Sequence, residues 1–132
     1  MFMCQGYLVT DPRDEMVCEA PGADLERAAR VQGALAPFDD TRRLAELFAA
    51  LSDPARLRIV EAVAIDELCV CDIEAAVSMS QSSVSHHLRV LRAMRLVRYR
   101  RAGRRVFYAL DDEHVRGLLM QGQAHASEGE AR

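Results

Sequence analysis

The sequence lacks long apolar runs and is poor in glycine and proline. No run approaches the ~20 apolar residues that a membrane-spanning helix needs. Seven glycines and four prolines in 132 residues are too few for a collagen-like or long disordered stretch. The opening residues do not combine a basic stretch with an apolar one, so they do not resemble a secretory signal. We therefore expect a cytoplasmic globular protein with one domain.

Common enzyme motifs are also missing. The sequence has no HExxH, no CxxC and no glycine-rich phosphate loop. A zinc enzyme would need an open coordination position, a general base and a substrate cleft, for which 132 residues leave little room. We therefore expect a protein without enzymatic activity.

Lysine is absent, and the arginines that replace it are unevenly distributed. The net charge is −3, yet residues 86–108 hold eight arginines and no acidic residue. Residues 1–40, by contrast, hold three arginines against eight acidic residues. A short basic block on an acidic body is typical of a protein that binds a polyanion.

The spacing of apolar residues predicts a mainly helical chain. Residues 1–22 show no helical period and are interpreted as a flexible arm. Each later helix is preceded by a residue suited to capping it. The predicted caps are Asp24, then one of Asp39, Asp40 and Thr41, then Asp53 with Pro54 at the first helical position, and finally Asp111 or Asp112.

The middle of the chain predicts a winged helix–turn–helix. A short helix over 72–77 and a turn at 78–80 precede a helix that runs from Ser80 or Gln81 to Met94. The period then changes from 3.6 to 2, which predicts a two-stranded β-hairpin with its turn at Gly103. The predicted fold class is therefore α+β and mainly helical.

The second helix and the hairpin carry side chains suited to DNA. Small and polar residues in the first turns of a helix fit a groove, and arginines on a wing fit phosphates. The alternative is a solvated arginine-rich surface, but eight arginines without an acid on this motif favour DNA. The predicted DNA-binding residues are Gln81, Ser82, Ser83, Ser85, His86, Arg89, Arg100, Arg101, Arg104 and Arg105.

Cys69 and Cys71 form a first cluster of possible metal ligands. Two thiols two residues apart diverge on a regular helix, but they can converge at a helix start or in extended chain. A soft cation needs three or four thiolates, and the other cysteines, Cys18 and Cys4, lie in the arm. The alternative is that the pair serves as small buried apolar residues.

The last predicted helix holds a second cluster. His114 and His125 are eleven residues apart, about 16 Å along a helix, so one helix cannot bring both to one ion. Two antiparallel copies would place the start of one helix opposite the end of the other. Each end would then combine two imidazoles with two carboxylates, which suits zinc. The alternative is a solvated polar surface. The cluster is Asp112, His114, His125 and Glu128.

These motifs closely resemble the ArsR/SmtB family of metal-responsive winged-helix repressors, with the cadmium-, lead- and zinc-sensing CadC type nearest. The resemblance covers about residues 18–128. The matching stretches are RVQG at 30–33, LSDPARLRI at 51–59, ELCVCDI at 67–73, SSVSHHLRVLR at 82–92 and DEHVRGLLMQGQAHASE at 112–128.

The resemblance implies a homodimer that binds operator DNA without metal. Binding of Zn²⁺, Cd²⁺ or Pb²⁺ is then expected to release the DNA and derepress an efflux or detoxification gene. The predicted domains are a flexible arm (1–22), a winged DNA-binding and dimerisation domain (23–128) and a frayed tail (129–132).

The resemblance also implies the ligand sets. Cys69 and Cys71 match a thiolate pair that Cys18 of the opposite subunit completes. The cluster in the last helix matches a zinc site at the dimer interface. Gly22 stands where CadC-type proteins carry a second arm cysteine, so the thiolate site either has three ligands or is completed by Cys4.

A thiol- or redox-sensing regulator with the same fold is the alternative function. In that case Cys18, Cys69 and Cys71 would form disulfides, and the cluster in the last helix would be unused. Stoichiometric metal in protein purified with reduced thiols separates the two functions.

Overall fold

The computed structural model describes residues 22–129, which fall into two compact units on either side of the junction between Ala36 and Pro37. The first unit contains helix α1 (Leu25–Ala34). As predicted, Asp24 caps this helix, and its carboxylate accepts a hydrogen bond of 3.0 Å from the backbone N–H of Arg27. The arm predicted for residues 1–22 lies outside the described residues except for Gly22.

The second unit is a winged helix–turn–helix, which confirms the predicted fold class. Helices α4 and α5 form the helix–turn–helix, and strands β2 and β3 form the wing. None of the helices in residues 22–129 is long and apolar enough to cross a membrane. The elements of this unit are α2 (Phe38–Leu51), α3 (Pro54–Ile65), β1 (Leu68–Cys69), α4 (Val70–Val77), α5 (Gln81–Ala93), β2 (Val97–Ala102), β3 (Arg105–Leu110) and α6 (Glu113–Glu128).

The predicted caps of α3 and α6 are confirmed, whereas the prediction for α2 is wrong. Asp53 and Asp112 cap their helices as predicted. Helix α2 begins at Phe38 after Pro37, and no side chain of the described residues caps it. Asp39 and Asp40 instead lie inside the first turn, where the helix dipole favours negative charge.

Helix α4 begins at Val70, two residues before the predicted start. Cys69 occupies the N-cap position and fixes this start through a reciprocal pair of contacts with Asp72. The turn that follows contains Ser78 in the left-handed conformation, with φ of 56°. Ser80 then caps α5 and accepts a hydrogen bond of 3.3 Å from the backbone N–H of Ser83.

Among residues 22–129, the two strands of the wing belong to a three-stranded antiparallel sheet. The order of the strands in this sheet is β1-β3-β2. The predicted hairpin and its turn at Gly103 are confirmed, and this glycine has a positive φ of 62°. Strand β1 adds a third strand that was not predicted, because two residues show no alternation. Its register pairs Leu68 with Tyr108 and Cys69 with Phe107.

The core holds the helix–turn–helix against α3 and the wing. The predicted inward face of α5, Val84, Leu88 and Leu91, is buried. These three side chains pack in one cluster with Ile59 of α3 and Ile73 of α4. Burying one face of α5 completely leaves its opposite face for solvent or a ligand.

Asp53 is the N-cap of α3, and we expect this cap to stabilise the second unit. Burial raises the pKa of its carboxyl, but hydrogen bonds from the backbone N–H groups of Arg56 and Ala55 outweigh burial and lower the pKa overall. We expect Asp53→Ala to reduce the free energy of unfolding by about 1 kcal/mol at pH 7, because the cap is lost.

Asp53→Asn is the matched control because asparagine also caps helices well. A carboxylate with a lowered pKa contributes stability above its unfolded pKa of about 3.9, and this contribution is lost as pH falls through the folded value. Urea unfolding at fixed protein concentration should therefore show wild type losing stability relative to Asp53→Asn below about pH 4. An Asp53→Ala variant as stable as wild type at pH 7 would contradict the capping role.

Candidate nucleic-acid interface and metal-ligand clusters

The predicted DNA-reading residues of α5 lie on the face opposite the core. Gln81, Ser82, Ser83, His86 and Arg89 are exposed, and Ser85 is half-buried. This arrangement follows from the burial of Val84, Leu88 and Leu91, which fixes the orientation of the helix. A small, polar face at the start of the second helix can enter the major groove without steric hindrance.

The arginines of the basic block are exposed along α5 and the wing. Arg92 stacks over the ring of Tyr99, with its guanidinium carbon 4.1 Å from the ring centroid. Arg100 pairs with the carboxylate of Glu67. The other seven arginines of residues 86–108 have no carboxylate of residues 22–129 within 4.0 Å. The block therefore directs most of its positive charge toward solvent, where a polyanion can neutralise it.

The two cysteines of the first cluster have different environments at the start of α4. Cys69 is only 6% exposed, whereas Cys71 is exposed, and both thiols are free. The thiol of Cys69 donates a hydrogen bond of 3.0 Å to Oδ2 of Asp72, and the backbone N–H of Cys69 donates to the same oxygen at 3.2 Å. These bonds lower the pKa of the Asp72 carboxyl.

The donor set at this end of α4 suits a soft cation but needs completion. Two sulfurs lie at the start of one helix, and sulfur is a donor that soft cations prefer. Within residues 22–129 no three His, Cys, Asp or Glu side chains come together as a metal site. The predicted third ligand Cys18, and Cys4, lie outside the described residues.

The cluster in α6 is divided between the two ends of the helix. At the start, Nδ1 of His114 lies 3.3 Å from Oδ2 of Asp112, and the His114 side chain is 95% exposed. The backbone N–H of Val115 is the main cause of the lowered pKa of the Asp112 carboxyl, and His114 lowers it further.

His125 and Glu128 lie three residues apart near the other end of α6 and are exposed. The helix separates this pair from Asp112 and His114, as the eleven-residue spacing between the histidines requires. Each end of α6 therefore presents one imidazole and one carboxylate.

Two polar contacts near these clusters were not predicted. Arg100 pairs with Glu67, and Nη1 of Arg116 donates a hydrogen bond of 2.7 Å to the carbonyl of Ala64 at the end of α3. Glu67 stands within the quoted ELCVCDI motif. Its partner could not be identified without the register of the sheet, which depends on the unpredicted strand β1.

Comparison with known proteins identifies the family. The family model described as bacterial regulatory protein, arsR family, matches residues 53–99. The chain is 46% identical to the transcriptional repressor SmtB homolog of Synechocystis sp., with 86% of each chain covered. This chain belongs to the ArsR family. This ArsR-family protein is also 36% identical to the cadmium resistance transcriptional regulatory protein CadC homolog of Staphylococcus aureus, over 85% of this chain and 93% of the relative.

A solved structure supports the same conclusion. The homodimeric winged helix-turn-helix DNA-binding domain of a possible ArsR-family regulator from Mycobacterium bovis matches with a TM-score of 0.64 and 28% identity. The match covers 83% of this chain and 91% of that one. The predicted family is therefore confirmed. Because the relatives are DNA-binding transcriptional regulators, this ArsR-family protein is not an enzyme, as the sequence predicted.

The unequal burial of the two thiols predicts unequal reactivity. In a background with Cys4→Ser and Cys18→Ser, we expect Cys71 to react with 5,5′-dithiobis(2-nitrobenzoate) at least about tenfold faster than Cys69, because thiol reactivity follows exposure. Stopped-flow absorbance at 412 nm (about the thionitrobenzoate maximum) measures both phases under reducing-agent-free conditions.

The two single substitutions are matched controls for each other. Cys71→Ser should remove the fast phase, and Cys69→Ser should leave it intact. A fast phase that survives Cys71→Ser would contradict the assignment of Cys71 as the accessible thiol at the start of α4.

Proposed function

We propose that this protein is a homodimeric, metal-sensing transcriptional repressor. It binds operator DNA without metal and releases it when Cd²⁺, Pb²⁺ or Zn²⁺ binds, which derepresses metal efflux or detoxification genes. The observation that carries this proposal is the position of Cys69 and Cys71. They begin the first helix of the helix–turn–helix, and Cys69 also belongs to a strand paired with the wing.

DNA binding is supported by the separation of apolar and polar faces on α5. The polar face beginning at Gln81 enters the major groove, and Arg89 extends this face along the helix. The arginines of the wing, Arg101, Arg104 and Arg105, contact phosphates. Affinity then depends on the release of counterions, and sequence preference depends on the first turns of α5.

Dimerisation is supported by an apolar groove on the second unit. The groove has a volume of about 340 Å³ and is lined by residues of α2, α3 and α6. Phe48 is 49% exposed beside it, and Leu118 is 38% exposed. Leu119 packs against the core, whereas Leu118 of α6 lines the groove and is left for a partner. The homodimeric relative from Mycobacterium bovis supports the same assembly.

The thiol cluster is the proposed site for Cd²⁺ and Pb²⁺. Cys69 and Cys71 supply two thiolates, and Cys18 of the partner subunit supplies the third, a donor set suited to soft cations. Ligation requires that Cys69 lose its thiol proton, which ends the hydrogen bond from Sγ to Asp72. The cap of α4 must then rearrange, because a thiolate and a carboxylate repel each other.

The clusters at the ends of α6 form the proposed Zn²⁺ site. Asp112 and His114 lie together at one end, and they would be joined by His125 of the partner subunit and Glu128 of the partner subunit. Two imidazoles and two carboxylates suit zinc in a tetrahedral arrangement. Because this site joins two subunits, occupying it fixes the angle between them.

The angle between subunits controls DNA binding in this proposal. Two recognition helices must enter successive major grooves about 34 Å apart, so a small change of angle disrupts the fit. Metal binding then favours the arrangement of the dimer that cannot bind DNA. The coupling is reciprocal, so operator DNA weakens metal affinity by the same factor.

Titration of DNA binding with metals tests this function. A duplex is first selected from a random library with metal-free, reduced protein, and its affinity is measured by fluorescence anisotropy. We expect saturating Cd²⁺ to weaken binding by about tenfold or more. Cys69→Ser and Cys71→Ser should abolish the Cd²⁺ response but preserve metal-free binding.

Two results would contradict this function. Binding that is insensitive to all three metals in reduced wild type would exclude metal sensing. A response to diamide in place of a response to metals, lost in the cysteine variants, would favour the redox-sensing alternative.

A mixed dimer tests the shared zinc site. One protomer carries His114→Ala and the other His125→Ala. If ligands come from both subunits, one site loses both histidines and the other stays complete. We therefore expect one tightly bound zinc per dimer by isothermal titration calorimetry.

If all ligands of a site come from one subunit, the mixed dimer is expected to give a different result. Every site would then lack one histidine, and tight binding would disappear from the mixed dimer. A dimer carrying His114→Ala in both protomers is the control, and it should bind no zinc tightly under either arrangement of this cluster.

A further inference from the structure

Arg100 differs from the other arginines of the wing because it already has an anionic partner. Its Nε and Nη2 atoms both contact Oε1 of Glu67, which lies 33 residues earlier in the chain. The Arg100 side chain is 58% exposed and the Glu67 side chain 32% exposed, so solvent screens this pair in part. The contact joins the residue before β1 to the middle of β2.

Arg100 also belongs to a row of register partners that crosses all three strands of the sheet. Phe107 of β3 is the register partner of Cys69 on one side and of Arg100 on the other. The Arg100 guanidinium also lies over the Phe107 ring, 4.9 Å from its centroid. The cysteine, the aromatic ring and the guanidinium therefore belong to one cross-strand row, and Glu67, the residue before β1, contacts the guanidinium.

We propose that Glu67 and Arg100 form a clamp that holds the cysteine-bearing strand β1 to the wing. Arg100 is then a positioning residue of the wing and not a phosphate contact, unlike Arg101, Arg104 and Arg105. The clamp also transmits rearrangement at Cys69 to the wing. This second part rests on the proposed metal-sensing function, whereas the first part concerns the metal-free protein alone.

Charge supports the first part of this inference. If Arg100 turned to a phosphate, it would leave the Glu67 carboxylate unpaired beside the DNA, where it would repel the backbone. Arg104 has no carboxylate within 4.0 Å among residues 22–129 and meets no such penalty. Arg104 is therefore the matched control for Arg100.

Connectivity supports the second part. Cys69 is at once the last residue of β1 and the N-cap of α4, so its position cannot change without affecting both elements. A displacement of two residues of strand would be local if β1 were free at its start. Glu67 prevents this because it attaches that start to β2, while the pairing with β3 attaches the strand itself.

The salt dependence of DNA binding by metal-free protein tests the role of Arg100. Loss of one phosphate contact per protomer should lower the magnitude of the slope of log K against log salt by about 1.8 per dimer. We expect this decrease for Arg104→Gln and an unchanged slope for the double variant Glu67→Gln/Arg100→Gln, which removes both charges and leaves no unpaired carboxylate. An equal decrease for this double variant would overturn the assignment of Arg100 as a positioning residue.

The Cd²⁺ response of DNA binding tests transmission through the clamp. We expect Glu67→Gln, Arg100→Gln and the double variant to reduce the effect of Cd²⁺ from about tenfold or more to within about twofold, with no additivity between the two sites. Glu67→Asp keeps the charge but shortens the reach, and it should behave like Glu67→Gln. The ultraviolet sulfur-to-Cd²⁺ charge-transfer band should persist in all variants, since the thiols are unchanged.

The outcomes separate this inference from the proposed function. A full Cd²⁺ response in Glu67→Gln, with wild type also responding, would overturn transmission and leave metal sensing intact. A wild type that binds Cd²⁺ but keeps its DNA affinity would overturn Cd²⁺ sensing and transmission, and the salt dependence would still decide the role of Arg100.

Discussion

The pairing of β1 with β3 is the constraint on which the rest of this structure depends. Only Leu68 and Cys69 form the strand, yet they bring the end of α3, the start of α4 and the wing to one place. Cys69 then serves as register partner of Phe107 and as cap of α4, the first helix of the helix–turn–helix. This single residue therefore connects the helix–turn–helix to the wing.

The two faces of α5 differ in burial and charge, and each has its own role. The inward face fixes the helix against α3 and α4 through close packing, which tolerates little displacement. The outward face and the wing carry the basic block on a chain whose net charge is −3. The acidic remainder limits nonspecific attraction to polyanions, so that binding depends on the geometry of one surface.

Much of the fold could be predicted because its signals are local. Asp53 followed by Pro54, the inward spacing of Val84, Leu88 and Leu91, and Gly103 between alternating segments each specify an element within a few residues. The start of α2 could not be predicted in this way. Asp39 and Asp40 are equally suited to a cap and to a first turn, and only the backbone conformation at Pro37 distinguishes them.

The candidate site was less predictable because its geometry depends on distant residues. The sequence indicated residue types suited to metal ligands at Cys69, Cys71, His114 and His125, and the helical spacing predicted that the two histidines lie near opposite ends of α6. The contact between Glu67 and Arg100 depends on the register of a two-residue strand that has no period. Sequence spacing contains no information about such a pair.

Amide hydrogen exchange, measured by nuclear magnetic resonance on the full chain with and without Cd²⁺, tests the central claim most directly. The claim is that events at the thiols reach the wing through the sheet. Saturating Cd²⁺ is predicted to change the exchange rates of the amides of β3 around Phe107 and Tyr108 together with those of β1. Changes confined to the start of α4, with β3 exchanging as it does without metal, would contradict it.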